Sequence, residues 1–266
     1  MYKSMILGFS EFFDVRYSVG ELIDDRYRLL KWLGTGGYGR SFLVEDRENN
    51  EKVVLKALRL HKRMSRGGRK GFIEESNMLK SLHHYSFPRV YATGEVKGVP
   101  YFTMDFIEGK TFEQLIFDEG KTFNERETFT IGLELIQIIG YLHNKGVVHR
   151  DIRIPNVMVQ EDHALKLIDF GLAKSVEFKG NNPIRSKQNR MKDISFQADF
   201  YALGHFLLFL LYSGYQNDEG AKERSWVEEL ELPMLIRSVL CKLLQLDKPY
   251  ENWHDIQVDF LKIINR

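Results

Sequence analysis

His149-Arg150-Asp151-Ile152-Arg153-Ile154-Pro155-Asn156 is the stretch whose reading decides the fold of this 266-residue chain. His149, Arg150, Asp151 and Asn156 form a fixed pattern that a chain of this length matches by accident about once in 600 tries. Pro155 keeps the stretch from running on as a helix, because proline has no N–H to donate and its ring clashes with the preceding turn. One short strand-like stretch, Ala164–Ile168, leads from there to Asp169-Phe170-Gly171. Taken alone the latter is a simple turn; its place behind the first pattern makes accident a poor explanation of both.

Upstream, Tyr27–Glu45 reads as strand, loop, strand, from the alternation in Arg28–Leu33 and Ser41–Val44. The loop is Gly34-Thr35-Gly36-Gly37-Tyr38-Gly39, and its glycine triplet alone turns up by chance in about one chain in eight. Glycine there lets backbone N–H groups approach phosphate oxygens, which a Cβ would block. Val53-Val54-Leu55-Lys56 reads as the next strand, where a lone lysine is also compatible with an edge position facing water. Lys70–Leu82 is predicted as a helix, with Phe72, Glu75, Leu79 and Leu82 on one stripe. Glu75 is therefore the acid on the apolar face, Glu74 lies off it, and a carboxylate on a buried face needs a partner. The six Lys or Arg residues within Arg59–Lys70 suggest a solvated loop, the alternative being a site for an acidic partner or phosphate. Further on, Pro88–Glu95 and Val99–Phe106 read as strands joined by a turn at Lys97-Gly98. Asn124–Lys145 reads as a long helix with Ile131, Leu135, Ile138 and Leu142 as its apolar stripe.

From about Tyr27 to near its C-terminus the chain resembles a Hanks-type (eukaryotic-like) serine/threonine protein kinase. The resemblance implies an α+β, two-lobed protein-kinase-like fold. A small antiparallel β lobe with one helix would cover 27–106, a mainly α-helical large lobe 107–266, and residues 1–26 would be an N-terminal extension. It implies ATP and Mg2+ as cofactors and phosphoryl transfer to serine or threonine hydroxyls of a protein substrate. In that frame Asp151 accepts the proton of the attacking hydroxyl, and Asn156 and Asp169 bind magnesium. Lys56 pairs the α- and β-phosphates, and Glu75 pairs Lys56. Arg153 stands where serine/threonine kinases usually carry lysine and meets the γ-phosphate; some tyrosine kinases also have arginine there, which leaves acceptor preference partly open. Leu33, Gly34, Thr35, Gly36, Gly37, Tyr38, Gly39, Ser41, Val54 and Met158 surround the nucleotide. Met104 is the gatekeeper, and backbone groups of Asp105 and Ile107 bond adenine. Ser41 replaces the valine usual over the base. Strands on both sides of the glycine loop fit a kinase, whereas a dinucleotide-binding unit would start a helix inside it.

The resemblance breaks between Asp169 and Asp199. No Ala-Pro-Glu motif is recognisable there, and the segment is basic, with Lys174, Lys179, Arg185, Lys187, Arg190 and Lys192. The arginine expected to pair with that motif's glutamate is missing from Leu246–Glu251 as well. Joint loss is coherent, since losing one partner of a buried pair costs about 3–5 kcal/mol. A phosphate on Ser186 pairing with Arg150 is a regulatory expectation. Asp199–Gly204 opens an apolar run expected to be a buried helix, with His205 a satisfied core residue.

The net charge of +1 gives no pull toward nucleic acid or membrane. The longest apolar run, Phe206–Tyr212, is far below the ~20 residues that span a bilayer, and Met1–Ser10 lacks a signal-peptide pattern. The single cysteine, Cys241, excludes a disulfide within the chain. It reads as a small core residue and suits a reducing, cytoplasmic setting. Phe9, Phe12, Phe13 and Tyr17 fall at helical spacing, for a helix packed on the small lobe or one that docks a partner. The complete set Lys56, Glu75, Asp151, Asn156 and Asp169 favours an active protein kinase. A kinase of a small molecule, lipid or sugar, and a nucleotide-binding pseudokinase scaffold, are the alternatives.

Overall fold

The structure, a computed structural model, describes residues 17–176, 194–215 and 225–266. They fall into two compact units, one reaching up to Glu108 and taking in Asp169–Gly171, the other formed by Gly109–Ile168 and the chain from Leu172 onward. The first is built on an antiparallel sheet and the second is mainly helical, so the α+β class read from the sequence holds. The spacing of Phe9, Phe12 and Phe13, the missing Ala-Pro-Glu motif and Ser186 lie outside the described residues.

In the first unit, strands β1 (Leu22–Ile23), β2 (Tyr27–Thr35), β3 (Gly39–Asp46) and β4 (Glu51–Leu58) lead into helices α1 (Leu60–Arg63) and α2 (Arg66–Ser81). Strands β5 (Val90–Val96) and β6 (Val99–Asp105) follow. Among the described residues six strands form one sheet in the order β1-β2-β3-β4-β6-β5. Lys97 and Gly98, both with positive φ, make the two-residue turn between β5 and β6, the hairpin geometry whose twist matches its strands. Because side chains alternate along a strand, Phe42, Val44, Val53, Leu55, Ala57, Val99 and Tyr101 share one face and pack with Ile23, Tyr27 and Leu29. The opposite face carries Lys56 and Phe102, paired in register, and Phe102 meets Phe72 of α2 with ring centroids 5.0 Å apart. From Val53 onward β4 is buried on both faces, which explains its unbroken Val-Val-Leu-Lys-Ala-Leu run. Each of these large apolar side chains contributes about 1.5–3 kcal/mol on burial.

One expectation fails here. Arg59–Lys70 is not a loop: Leu60–Arg63 is helical, and α2 begins at Arg66 rather than Lys70. Ser65 supplies the start signal, its hydroxyl accepting from the Gly68 N–H at 3.3 Å, a local bond that overrides the count of charges. Gly68 also lets the two helices meet, since a Cβ there would lie 2.4 Å from the Lys62 carbonyl oxygen.

The second unit begins with β7 (Lys110–Thr111) and a π-helical turn, Gln114–Asp118, then α3 (Glu125–Asn144), β8 (Val147–Val148), β9 (Val157–Val159) and β10 (Leu165–Leu167). After β11 (Lys174–Ser175) come α4 (Phe196–Tyr212), α5 (Trp226–Glu229), α6 (Met234–Leu243) and α7 (Trp253–Ile264). The predicted long helix is α3, opened by a capping box in which Asn124 accepts from Glu127 N–H and Glu127 accepts from Asn124 N–H, both at 2.9 Å. Leu135, Ile138 and Leu142 of its stripe are buried. α4 is mostly buried, with Tyr201, His205, Phe209 and Tyr212 forming its more open stripe. His205 on α4 is only half-buried, its ring edge-on to Tyr201, and Cys241 is partly exposed rather than a core residue. Where an arginine was sought, Tyr250 is buried, donates its hydroxyl to Asp259 Oδ2 at 2.7 Å and lies under Lys242. No helix among the described residues is long and apolar enough to cross a membrane.

Candidate active site

Two sets of predicted residues are assembled, one in each unit. In the first, Lys56 on β4 is almost fully buried and its Nζ donates to Glu75 Oε1 at 2.6 Å and to Asp169 Oδ1 at 2.9 Å. The helical stripe had singled out Glu75, and it is 3% exposed while the Glu74 side chain is 42% exposed. Burial by itself pulls Lys56 down, but the charges of Glu75 and Asp169 overrule it and hold the lysine above its ordinary range. Glu75 is pushed up, first by burial and further by the charge of Asp169, with Lys56 opposing. The two directions pull on one proton. It belongs to Lys56, because the ammonium faces two carboxylates whereas Glu75 shares a single cation. Glu75 Oε2 has no hydrogen-bond partner among the described residues, in line with its upward shift.

The glycine loop is the turn between β2 and β3, closed by Gly36 N–H donating to the Gly39 carbonyl at 2.9 Å. None of its glycines has a positive φ; Gly36 and Gly39 have close neighbours, whereas Gly34 and Gly37 face open space. A Cβ on Gly39 would lie 2.9 Å from Lys56 Cγ, and one on Gly36 would lie 3.5 Å from Asp169 Oδ2. At position 39 glycine therefore makes room for the lysine stem. Across the strands Ser41 pairs with Lys56, and Val54 pairs with Met104. Leu33, at the irregular end of β2, is 41% exposed; Gly34, Thr35, Gly37 and Tyr38 lie on the same hairpin. The Asp105 N–H is bonded to Arg89 O at 3.0 Å and its carboxylate accepts from Arg89 N–H and from the Tyr91 hydroxyl. Ile107 follows in extended chain.

In the second unit Asn156 donates its Nδ2 to Asp151 Oδ2 at 2.7 Å and to the Asp151 carbonyl at 2.9 Å. That turns Asn156 Oδ1 away from Asp151. Arg153 Nε lies 3.6 Å from Asp151 Oδ1 and the arginine side chain is 62% exposed, so this pair is weak and the guanidinium can turn to another anion. Met158 sits on β9, paired with Thr111 of β7. His149 is fully buried and its Nδ1 accepts from the Asp151 N–H at 3.3 Å, which makes it a packed structural residue.

Both motifs hold a non-glycine residue in the left-handed region, Arg150 at φ 67° and Asp169 at φ 61°, which costs about 1–2 kcal/mol each. Asp169 is held by Lys56 and by Gly171 N–H on Oδ1. Arg150 is held by Asp199, a residue that the sequence reading left out of the site. Asp199 is fully buried and accepts from Arg150 N–H at 2.7 Å and His149 N–H at 2.9 Å, with His143 Nε2 at 2.9 Å. The signal was present: an acid heading an otherwise apolar helix must find donors.

A family model described as the protein kinase domain matches residues 27–266. The probable serine/threonine-protein kinase YbdM of Bacillus subtilis (strain 168) is 34% identical over 252 residues, 95% of this chain and 94% of that protein. The serine/threonine-protein kinase PknB of Mycobacterium tuberculosis (strain ATCC 25618 / H37Rv) is 27% identical over 205 residues; the match takes in 71% of this chain and 33% of PknB, so the chain spans about a third of that relative. Among solved structures, the PknI kinase domain of Mycobacterium tuberculosis superposes with a TM-score of 0.70 at 22% identity, covering 93% of this chain and 100% of that one. At such identity the likeness speaks for the fold alone.

Proposed function

The chain belongs to the protein kinase domain family, and on that premise we propose that its two residue sets serve phosphoryl transfer from ATP to serine or threonine hydroxyls of proteins. The observation that carries this reading is the buried Lys56 ammonium shared by Glu75 and Asp169. A buried cation aimed at carboxylates from two other elements is an arrangement a sheet does not need for stability. Lys56 orients the α- and β-phosphates, with Glu75 fixing its position. Asp151 takes the acceptor proton. Its Oδ2 is held by Asn156, so the carboxylate is oriented before the hydroxyl arrives. Arg153 meets the γ-phosphate. Leu33, the loop 34–39, Ser41, Val54 and Met158 enclose the nucleotide, with Met104 as gatekeeper and the Asp105 and Ile107 backbone reading adenine.

Magnesium prefers oxygen ligands, keeps several waters and needs one or two carboxylates from a protein. The Asn156 Oδ1 and the one-third exposed Asp169 side chain fit that donor chemistry. When bound, the ion offsets charge on the phosphate oxygens. The rest is positioning and fixed charge. We assign residues 27–106 to the nucleotide and 107–266 to the base and the acceptor, with 1–26 as an extension. The lone cysteine, Cys241, supports a reducing, cytoplasmic setting. A small-molecule acceptor and a scaffold without turnover are not favoured, since the relatives are serine/threonine protein kinases and Asp151, Asn156 and Asp169 are all present.

The test is incubation with Mg-ATP and a generic basic protein, followed by a phosphosite map. Phosphoserine or phosphothreonine is expected. Asp151→Asn should lower kcat by about 10²–10⁴; no modified protein, or an equally active variant, would overturn the reading.

A further inference from the structure

The basic stretch Arg59–Lys70 has no part in the chemistry above, yet it is folded and it touches the glycine loop. Lys62 of α1 places its ammonium 4.9 Å from the centroid of the Tyr38 ring at the loop tip. Gly71 of α2 lies against that ring, and a Cβ there would come within 3.0 Å of Tyr38 Cε1 and 3.3 Å of Cζ. On a further side is Gly171, where a Cβ would lie 3.5 Å from Tyr38 Cδ2. The backbone at Tyr38 is tied too, its carbonyl accepting from the Arg59 N–H at 3.1 Å. Glycine inside a helix weakens it, so Gly71 in the second turn of α2 calls for a reason, and the seat for the ring is one.

We propose that Tyr38 is a positioning residue: its ring, clamped between Gly71 and Lys62 and resting on Gly171, fixes the glycine loop to α2 and to the Asp169 turn. Those are the three elements that carry the loop amides, Glu75 and Asp169, and all belong to the first unit. Gly68 completes the device, since the close contact of α1 with α2 at that glycine sets where Lys62 stands. The clamp orders the loop amides before they meet phosphate, so part of the ordering entropy is removed from the binding step. This inference rests on the nucleotide reading above.

The test is a double-mutant cycle with Tyr38→Ala and Gly71→Val, reading the KM for ATP, kcat and amide hydrogen exchange over residues 34–39. Tyr38→Ala is expected to raise KM about tenfold, with a much smaller change in kcat, and to speed exchange in the loop. Gly71→Val should do the same by expelling the ring, and should add little once Tyr38 is alanine. Equal effects of Gly71→Val with and without the ring, or unchanged loop exchange in Tyr38→Ala, would overturn the clamp. Exchange measured without ATP separates the two ideas. A faster loop in a protein that transfers no phosphate keeps the clamp and sinks the nucleotide reading.

Discussion

Replacing Lys56 by methionine keeps the length of the stem and removes its charge, leaving Glu75 buried without a cation. Asp169 loses the same cation, and its charge already pushes Glu75 up in the wild type. Burial then favours the neutral form of Glu75 in the folded variant, while the unfolded chain ionises it above its ordinary value of 4.5, so the penalty grows as pH rises. Breaking a buried pair costs about 3–5 kcal/mol, and here the cost grows as pH rises. The direction follows from linkage: a carboxyl whose folded pKa lies above its unfolded one supports the fold at low pH and loses that support as pH rises. Thermal unfolding of wild type and Lys56→Met at both pH values is the assay. The deficit of the variant should be larger at pH 7.5 than at pH 5.5, reaching about 6–20 °C for about 3–5 kcal/mol, and phosphoryl transfer should be lost at both. A deficit that does not change with pH would refute the reasoning, since some other group would then be carrying the effect.

Asn124→Ala removes the cap of α3 and should cost about 1 kcal/mol, seen as a fall of about 2–4 °C in Tm with kinetic constants unchanged. Burial holds His205 below its ordinary value of 6.5, so the unfolded chain takes the proton first and stability falls as pH drops below about 6.5. His205→Phe should flatten that part of the stability curve in urea titrations, and an unchanged slope would show that another group is responsible.

How far the sequence could be read depended on whether a contact leaves a local trace. Glu75 was separable from Glu74 because a helix repeats every 3.6 residues and puts only one of them on the apolar stripe. α3 was legible end to end because Asn124 and Glu127 are neighbours on one turn. The basic stretch was misread because charge density is a weaker signal than one capping serine. Asp199 was passed over as a site residue because two of its three partners, the His149 and Arg150 N–H groups, are backbone atoms about 50 positions away, and backbone donors have no letter in a sequence.

By itself the sequence determined which residue types are present at which spacing: the glycine hairpin, the apolar-faced glutamate, and the Asp151–Asn156 pair five residues apart, whose bond forms within one loop. Only the tertiary structure decided that Lys56 reaches across 113 positions to Asp169, that Gly39 serves the lysine stem, and that Tyr38 sits on Gly71. The reason is physical. Periodicity and caps are properties of a few consecutive residues, whereas these contacts arise when separate elements close-pack, and which atoms then meet is set by the whole packed unit.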